Sequence, residues 1–208
     1  MNIGIVGSGN IGATAARLFA NAGHDVAVSN SRGPESLGPL VEEIGSKVRA
    51  ATVEEATDFG EVVLVAMPFF AYEALPADRL AGKVVVDAMN YYEQRDGRID
   101  FDGLTSSEVV ARHLPNSRLV KAFNTMYYQT LRMQGRPSAP TEERLVLFVA
   151  GDDGEAKAVV SRLIEEIGFA PVDTGSLREG GRKQEPGSPI YNVPMTAGRA
   201  REELAGMH

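Results

Sequence analysis

Hydrophobic residues fall in two rhythms along most of this chain: short unbroken apolar runs, and longer stretches with apolar residues every three or four positions. The runs read as strands buried on both faces, and the periodic stretches as amphipathic helices laid over them. Ile3–Val6 opens the series, Ile11–Ala22 follows as a helix and Asp25–Ser29 as the second strand. A helix over Glu35–Ile44, a short strand near Lys47–Ala51 and a helix begun by the capping-box residues Thr52 and Glu55 come next. Glu61–Met67 predicts a buried strand closed by Pro68, which has no amide to offer a ladder. A helix from about Phe70, broken near Pro76, leads to a strand at Lys83–Asp87, a helix at Ser106–Leu114 and a strand at Arg118–Phe123. This alternation predicts an α/β fold with a doubly wound, mainly parallel sheet.

Beyond Asn124 the regularity loosens. Residues 127–143 are polar, with Pro137 and Pro140, and predict a connecting loop or partial helix. Leu145–Ala150 reads as a strand, Asp152 or Asp153 caps a helix to about Ile167, and Ala170–Val172 is a last short strand. Thr174–Pro194 is rich in Gly and Pro and reads as a long loop, before a closing helix at Thr196–Ala205. The chain therefore divides into a regularly alternating part, 1–124, and a smaller, less regular part, 125–208, packed with it as one unit.

The first turn carries the sharpest chemical signal. Gly7-Ser8-Gly9-Asn10-Ile11-Gly12 follows the first strand directly and opens the first helix. In such a turn the first glycine permits the sharp bend, the second lets a pyrophosphate approach the backbone, and the third brings helix and strand together. The phosphates sit on free amides at a helix N-terminus. An acidic residue at the end of the second strand marks NAD-binding units. Here that strand runs into Asn30-Ser31-Arg32, with no carboxylate at the end. A hydroxyl and a guanidinium suit a 2′-phosphate, so the turn predicts NADP(H) over NAD(H).

In a doubly wound sheet the ligand crosses the carboxyl ends of the strands. That rule places Met67, Pro68 and Asn90 around the nicotinamide half, with Asn124 and Thr125 as hydrogen-bonding residues on the reacting side. No Ser-His-Asp set is required, because the cofactor carries the hydride and the protein orients it. Lys121 lies in an apolar strand and has two readings, a buried proton donor or a side chain snorkelling from a sheet edge, of which the second is preferred. Asp87 ends another strand, as a ligand-orienting group or a cap.

Composition narrows the partners. With 28 acidic against 21 basic residues, a net charge of −7 argues against nucleic acid or an anionic membrane as the main partner. The absence of Cys removes disulfides, thiolate catalysis and Cys-ligated metals, and His24, His113 and His208 are too scattered for a metal motif. No metal site is expected. No apolar run reaches membrane-spanning length, and a first strand beginning at Asn2 leaves no room for a leader peptide, so a cytoplasmic protein is expected.

The opening Met1–Gly12, the turn Ser29–Arg32, the strand end Ala66-Met67-Pro68 and the segment Val120–Thr125 together resemble the NADPH-dependent coenzyme F-420 reductase family. The cytosolic reductase domain of six-transmembrane metalloreductases is related to it. The resemblance extends through Val149–Asp153 and Asp173–Leu177, over essentially the whole chain. It implies a Rossmann fold, NADP(H) as cofactor, coenzyme F-420 or a related flavin-like molecule as small-molecule acceptor, and a homodimer. Archaeal members carry a His-Thr pair and an Ile-Pro step where this chain reads Asn124-Thr125-Met126-Tyr127. Two other readings stand beside it: a reductase of another small substrate such as an imine, hydroxy acid or ferric chelate, and a non-catalytic NADPH sensor.

Overall fold

The computed structural model describes residues 1–207, and His208 lies outside the described residues. Its strands are β1 (Asn2–Val6), β2 (Asp25–Ser29), β3 (Val48–Ala50), β4 (Val62–Val65), β5 (Val84–Asp87), β6 (Arg118–Ala122), β7 (Val146–Gly151) and β8 (Ala170–Gly175). They form one eight-stranded sheet in the order β3-β2-β1-β4-β5-β6-β7-β8. Every pairing is parallel except β6 with β7.

The helices of the first half are α1 (Asn10–Asn21), α2 (Gly38–Ile44), α3 (Val53–Phe59), α4 (Ala77–Leu80), α5 (Glu93–Asp96) and α6 (Ser106–His113). Those of the second half are α7 (Tyr128–Met133), α8 (Gly154–Glu166), α9 (Glu179–Lys183) and α10 (Ala197–Ala205). Side chains alternate between the two faces of the sheet with a period of two. Ile3, Ile5, Val84 and Val86 therefore enter the core under α1, α7 and α8, with Phe19, Leu131 and Leu163. Val6, Val63 and Val85 enter the opposite core with Leu80 and Val110 from α4 and α6.

β7 runs antiparallel to β6. The connection between them carries α7, six residues long, and a 3-10 turn at Thr141–Glu143. The thirteen residues of α8 make the next crossover, and β7 and β8 are again parallel.

Three local readings change. Glu35–Ile44 is a 3-10 turn at Pro34–Leu37 followed by α2, because Pro39 sits in the first turn of the α-helix, where its missing amide costs nothing. Asp153, and not Asp152, caps α8 by accepting the Ala156 amide at 3.0 Å. Hydrogen bonds from Arg118 and then from that amide hold its carboxyl well below the usual carboxylate range. Finally, the stretch 174–194 is not an open loop. It contains α9, and Gly180, Gly181, Gln184 and Ile190 are buried against β7, β8 and the helix α10.

Candidate active site

The sheet order reverses between β1 and β4, and at their carboxyl ends the structure opens a crevice. It consists of two cavities, of about 490 and 480 Å³, with Gly9, Ala66, Met67 and Pro68 lining both. The second cavity extends over Gly7 and Ser8 to Asn30, Ser31 and Arg32. The first extends past Asn10 and Ile11 to Asn90, Asn124 and Tyr191.

The glycine turn explains why the crevice floor is backbone. Gly7 has φ +107°, and a Cβ there would lie 2.4 Å from the Ala66 carbonyl oxygen. At Gly12 a Cβ would stand 1.8 Å from the carbonyl oxygen of Gly7, so helix and turn meet in contact. Gly9 differs: a Cβ there would have no heavy atom within 4 Å, and the space beside it belongs to the crevice. Gly9 also caps α1 without a side chain, leaving the leading amides of the helix without a side-chain acceptor. Open space over free amides and a positive helix end fits a pyrophosphate.

At the far rim, Asn30 braces the turn that follows β2. Its Nδ2 donates to Ser8 Oγ at 3.1 Å and Ser36 Oγ at 2.9 Å, while its Oδ1 accepts the Arg32 amide at 2.9 Å. Ser31 and Arg32 are exposed on this rim. Asn30 thus shapes the turn that presents the two.

The opposite wall forms where β5 and β6 end. Phe123 follows β6 with φ +66°, a left-handed conformation that a bulky side chain rarely adopts, and it redirects the chain into Asn124. Asn124 Nδ2 donates to the Gln184 carbonyl at 2.8 Å and to Asn90 Oδ1 at 3.1 Å. Asn90 Nδ2 in turn donates to the Asn124 carbonyl at 2.8 Å. Asn124 Oδ1 is buried on this wall without a hydrogen-bond partner. Thr125 does not line the crevice; it is buried, and its carbonyl accepts the Asn192 amide at 2.8 Å. Thr125 is turned back into the fold, while Asn124, Met126, Tyr127 and Tyr128 around it line the wall.

Beneath this wall lies a buried ion pair. Lys121 is 1% exposed, and its Nζ donates to Asp87 Oδ2 at 3.1 Å and to the Met89 carbonyl. Asp87 also accepts the Ser107 hydroxyl at 2.7 Å and the Met89 amide at 2.9 Å. The snorkelling reading of Lys121 is therefore wrong. With β5 on one side of β6 and β7 on the other, no sheet edge lies within its reach. The pair fixes the residue immediately before Asn90.

Residues that local pattern did not single out also line the wall: Tyr92, Arg95, Met126, Tyr191 and Asn192. Tyr92 and Arg95 follow Asn90 beyond a strand end, a position that identifies them once β5 is placed. Tyr191 arrives from a distant segment and has no local signal. Away from the crevice, His24 bonds Glu166 at 2.9 Å and His113 bonds the Leu75 carbonyl at 2.9 Å. Arg144 is engaged by the carbonyls of Pro137, Ala139 and Glu165. Among the described residues no group of His, Asp and Glu is arranged to hold a metal ion, and no helix is long and apolar enough to cross a membrane.

Comparison with known proteins agrees with this geometry. The profile of a family described as NADP oxidoreductase, coenzyme F420-dependent, matches residues 2–91. A hypothetical protein of Sinorhizobium meliloti, solved by crystallography, superposes with a TM-score of 0.83 at 33% identity, over 94% of this chain and 95% of that one. A protein of Arthrobacter sp. FB24 described as an F420-dependent NADP-reductase has the same fold, with a TM-score of 0.70 at 24% identity over 100% of this chain and 91% of that one. Metalloreductase STEAP3 of Rattus norvegicus is 33% identical over 84% of this chain and 34% of its own length. The chain spans about a third of the length of the curated relatives it matches. Residues 2–91 belong to the coenzyme F420-dependent NADP oxidoreductase family.

Proposed function

We propose that this chain is an NADPH-dependent oxidoreductase that moves a hydride between NADP(H) and coenzyme F-420 or a related flavin-like acceptor. The observation that carries the reading is the continuity of the crevice, from the Arg32 rim across Gly9 to the wall of Asn90 and Asn124. Its two ends match the two halves of a dinucleotide. Ser31 and Arg32 hold the 2′-phosphate, Ser8 and the leading amides of α1 hold the pyrophosphate, and Met67 and Pro68 flank the nicotinamide half. Asn124, with its unpartnered Oδ1, orients the amide of that half. Bound there, the dinucleotide supplies the hydride. The protein fixes one face of the ring and keeps water from it.

A single charge-assisted phosphate contact is enough for a roughly tenfold preference, about 1.4 kcal/mol. NADPH is therefore expected to bind at least that much more tightly than NADH. Arg32→Ala should remove most of the difference while leaving NADH affinity nearly unchanged. Calorimetric titration of both proteins with both cofactors checks this, and equal wild-type affinities contradict it.

A second reading draws on the 33% identity to a metalloreductase: the chain acts as the NADPH-binding part of a system reducing ferric chelates. Reduction of a ferric chelate by the NADPH-loaded protein with no flavin or deazaflavin present favours this reading over the first.

A further inference from the structure

The segment that follows β5 is stapled in place. The Asp96 side chain is fully enclosed. It accepts the Tyr92 amide at 2.8 Å, the Phe70 amide at 3.4 Å and both Nε and Nη2 of Arg95 at 2.8 Å. Arg95 also donates to the Asn90 carbonyl at 2.5 Å, and its guanidinium carbon stands 5.0 Å from the centre of the Tyr92 ring. These contacts hold Tyr92 at the crevice wall, where its hydroxyl bonds that of Tyr191. Asn90 Nδ2 donates to the same Tyr191 oxygen at 3.3 Å.

Counting protons exposes a vacancy in this network. A hydrogen bond between two phenols uses one of their two protons. If Tyr191 donates, the Tyr92 proton is left over. If Tyr92 donates, the Tyr191 oxygen accepts from both Tyr92 and Asn90, and its own proton is left over. Either way one phenolic O–H on the wall has no acceptor among the described residues. The donor is neutral, because the charge of Arg95 is already matched by Asp96. A neutral O–H on the wall is a suitable donor for a carbonyl oxygen of a bound ring.

We propose that Tyr92 and Tyr191 form a shared hydrogen-bond donor for a ring carbonyl of the acceptor. This rests on the reading of the chain as a hydride-transfer enzyme. An acceptor ring that takes a hydride gains two electrons and one proton, and the negative charge spreads onto its conjugated carbonyl. A fixed O–H donor there binds the oxygen more strongly as that charge develops, and a proton from water then neutralises it. Burial, and then the hydrogen bond with Tyr92, raises the Tyr191 phenol above its ordinary value, so the donor stays protonated through the neutral range.

The proton count predicts a non-additive signature. With Tyr92→Phe or Tyr191→Phe, the remaining phenol still has a free proton, so riboflavin binding should weaken by no more than about threefold. The double variant has none and should lose about tenfold or more. Fluorescence titration of riboflavin and of oxidised deazaflavin onto the NADP⁺-loaded proteins reads this. NADPH affinity, measured alongside, should stay within about twofold and reports that the crevice is intact. Unchanged flavin affinity in the double variant, additive losses in the singles, or no binding of either heterocycle by the wild type overturns the inference. So does a loss of NADPH affinity with retained affinity for 2′-phospho-ADP-ribose, because the pair would then hold the nicotinamide carboxamide. A wild type that fails to bind NADPH overturns the proposed function instead.

Discussion

Gly9→Val should leave the protein folded and unable to hold NADPH, whereas Gly12→Ala, a smaller change three residues on, should disrupt the fold itself. The backbone at Gly9 is extended, with φ −70° and ψ −169°, a conformation valine adopts readily, and its Cβ would touch nothing in the protein. What the valine fills is the space through which a pyrophosphate approaches the amides of α1. A loss of at least a hundredfold in NADPH affinity is expected, about 2.7 kcal/mol. At Gly12 the added methyl meets a backbone oxygen at 1.8 Å, which no rotamer change relieves. The cost should reach the upper end of overpacking penalties, about 3 kcal/mol or more. Urea denaturation followed by circular dichroism, paired with calorimetric NADPH titration, separates the two effects. A Gly9→Val protein with wild-type affinity means that the turn serves only the fold.

Lys121→Ala should be the most damaging single change at the rear of the site. It leaves the Asp87 carboxylate enclosed without its cation, and breaking one side of a buried pair costs about 3–5 kcal/mol. It also frees the Met89 carbonyl, so the turn carrying Asn90 loses its anchor. Both a lower urea midpoint and a slower turnover are expected. A stability change below about 1 kcal/mol, the range of exposed ion pairs, would show that the pair contributes little.

The parts of this fold that were legible are those encoded locally. Ile3–Val6, the glycine turn and α1 form a contiguous pattern, and Thr52 with Glu55 forms a reciprocal cap that is present at the start of α3. Glu61–Met67 and Lys83–Asp87 read as buried parallel strands because their apolar runs are unbroken. What sequence could not supply is pairing across distance. The burial of Lys121 depends on β7 lying outside β6, and nothing near Lys121 announces that neighbour. Glycine and proline in 174–194 suggest an open loop, yet α9 packs there because Gly180 allows close approach to β8, where a Cβ would lie 2.7 Å from Thr174, whose Oγ1 donates to the Gly180 carbonyl at 3.1 Å.

The candidate site divides in the same way. The half proposed to hold the phosphates comes from one βαβ unit, and its residues from Gly7 to Arg32 are contiguous in the sequence pattern. The half proposed for the acceptor brings Asn90, Asn124 and Tyr191 together from three segments, through hydrogen bonds spanning 34 and 101 residues. The rule that ligands cross the carboxyl ends of strands located Asn90 and Asn124. It did not distinguish Asn124, which lines the crevice, from Thr125, which does not, because that depends on the left-handed turn at Phe123.

Single-turnover oxidation of bound NADPH tests the central claim most directly. Protein loaded with one equivalent of NADPH is mixed rapidly with oxidised deazaflavin or riboflavin, and the absorbance of the reduced nicotinamide is followed with that of the acceptor. The two signals should fall together, orders of magnitude faster than in the protein-free mixture, and Gly9→Val should abolish the acceleration. NADPH that binds tightly yet is oxidised no faster than in free solution by either acceptor would contradict the account.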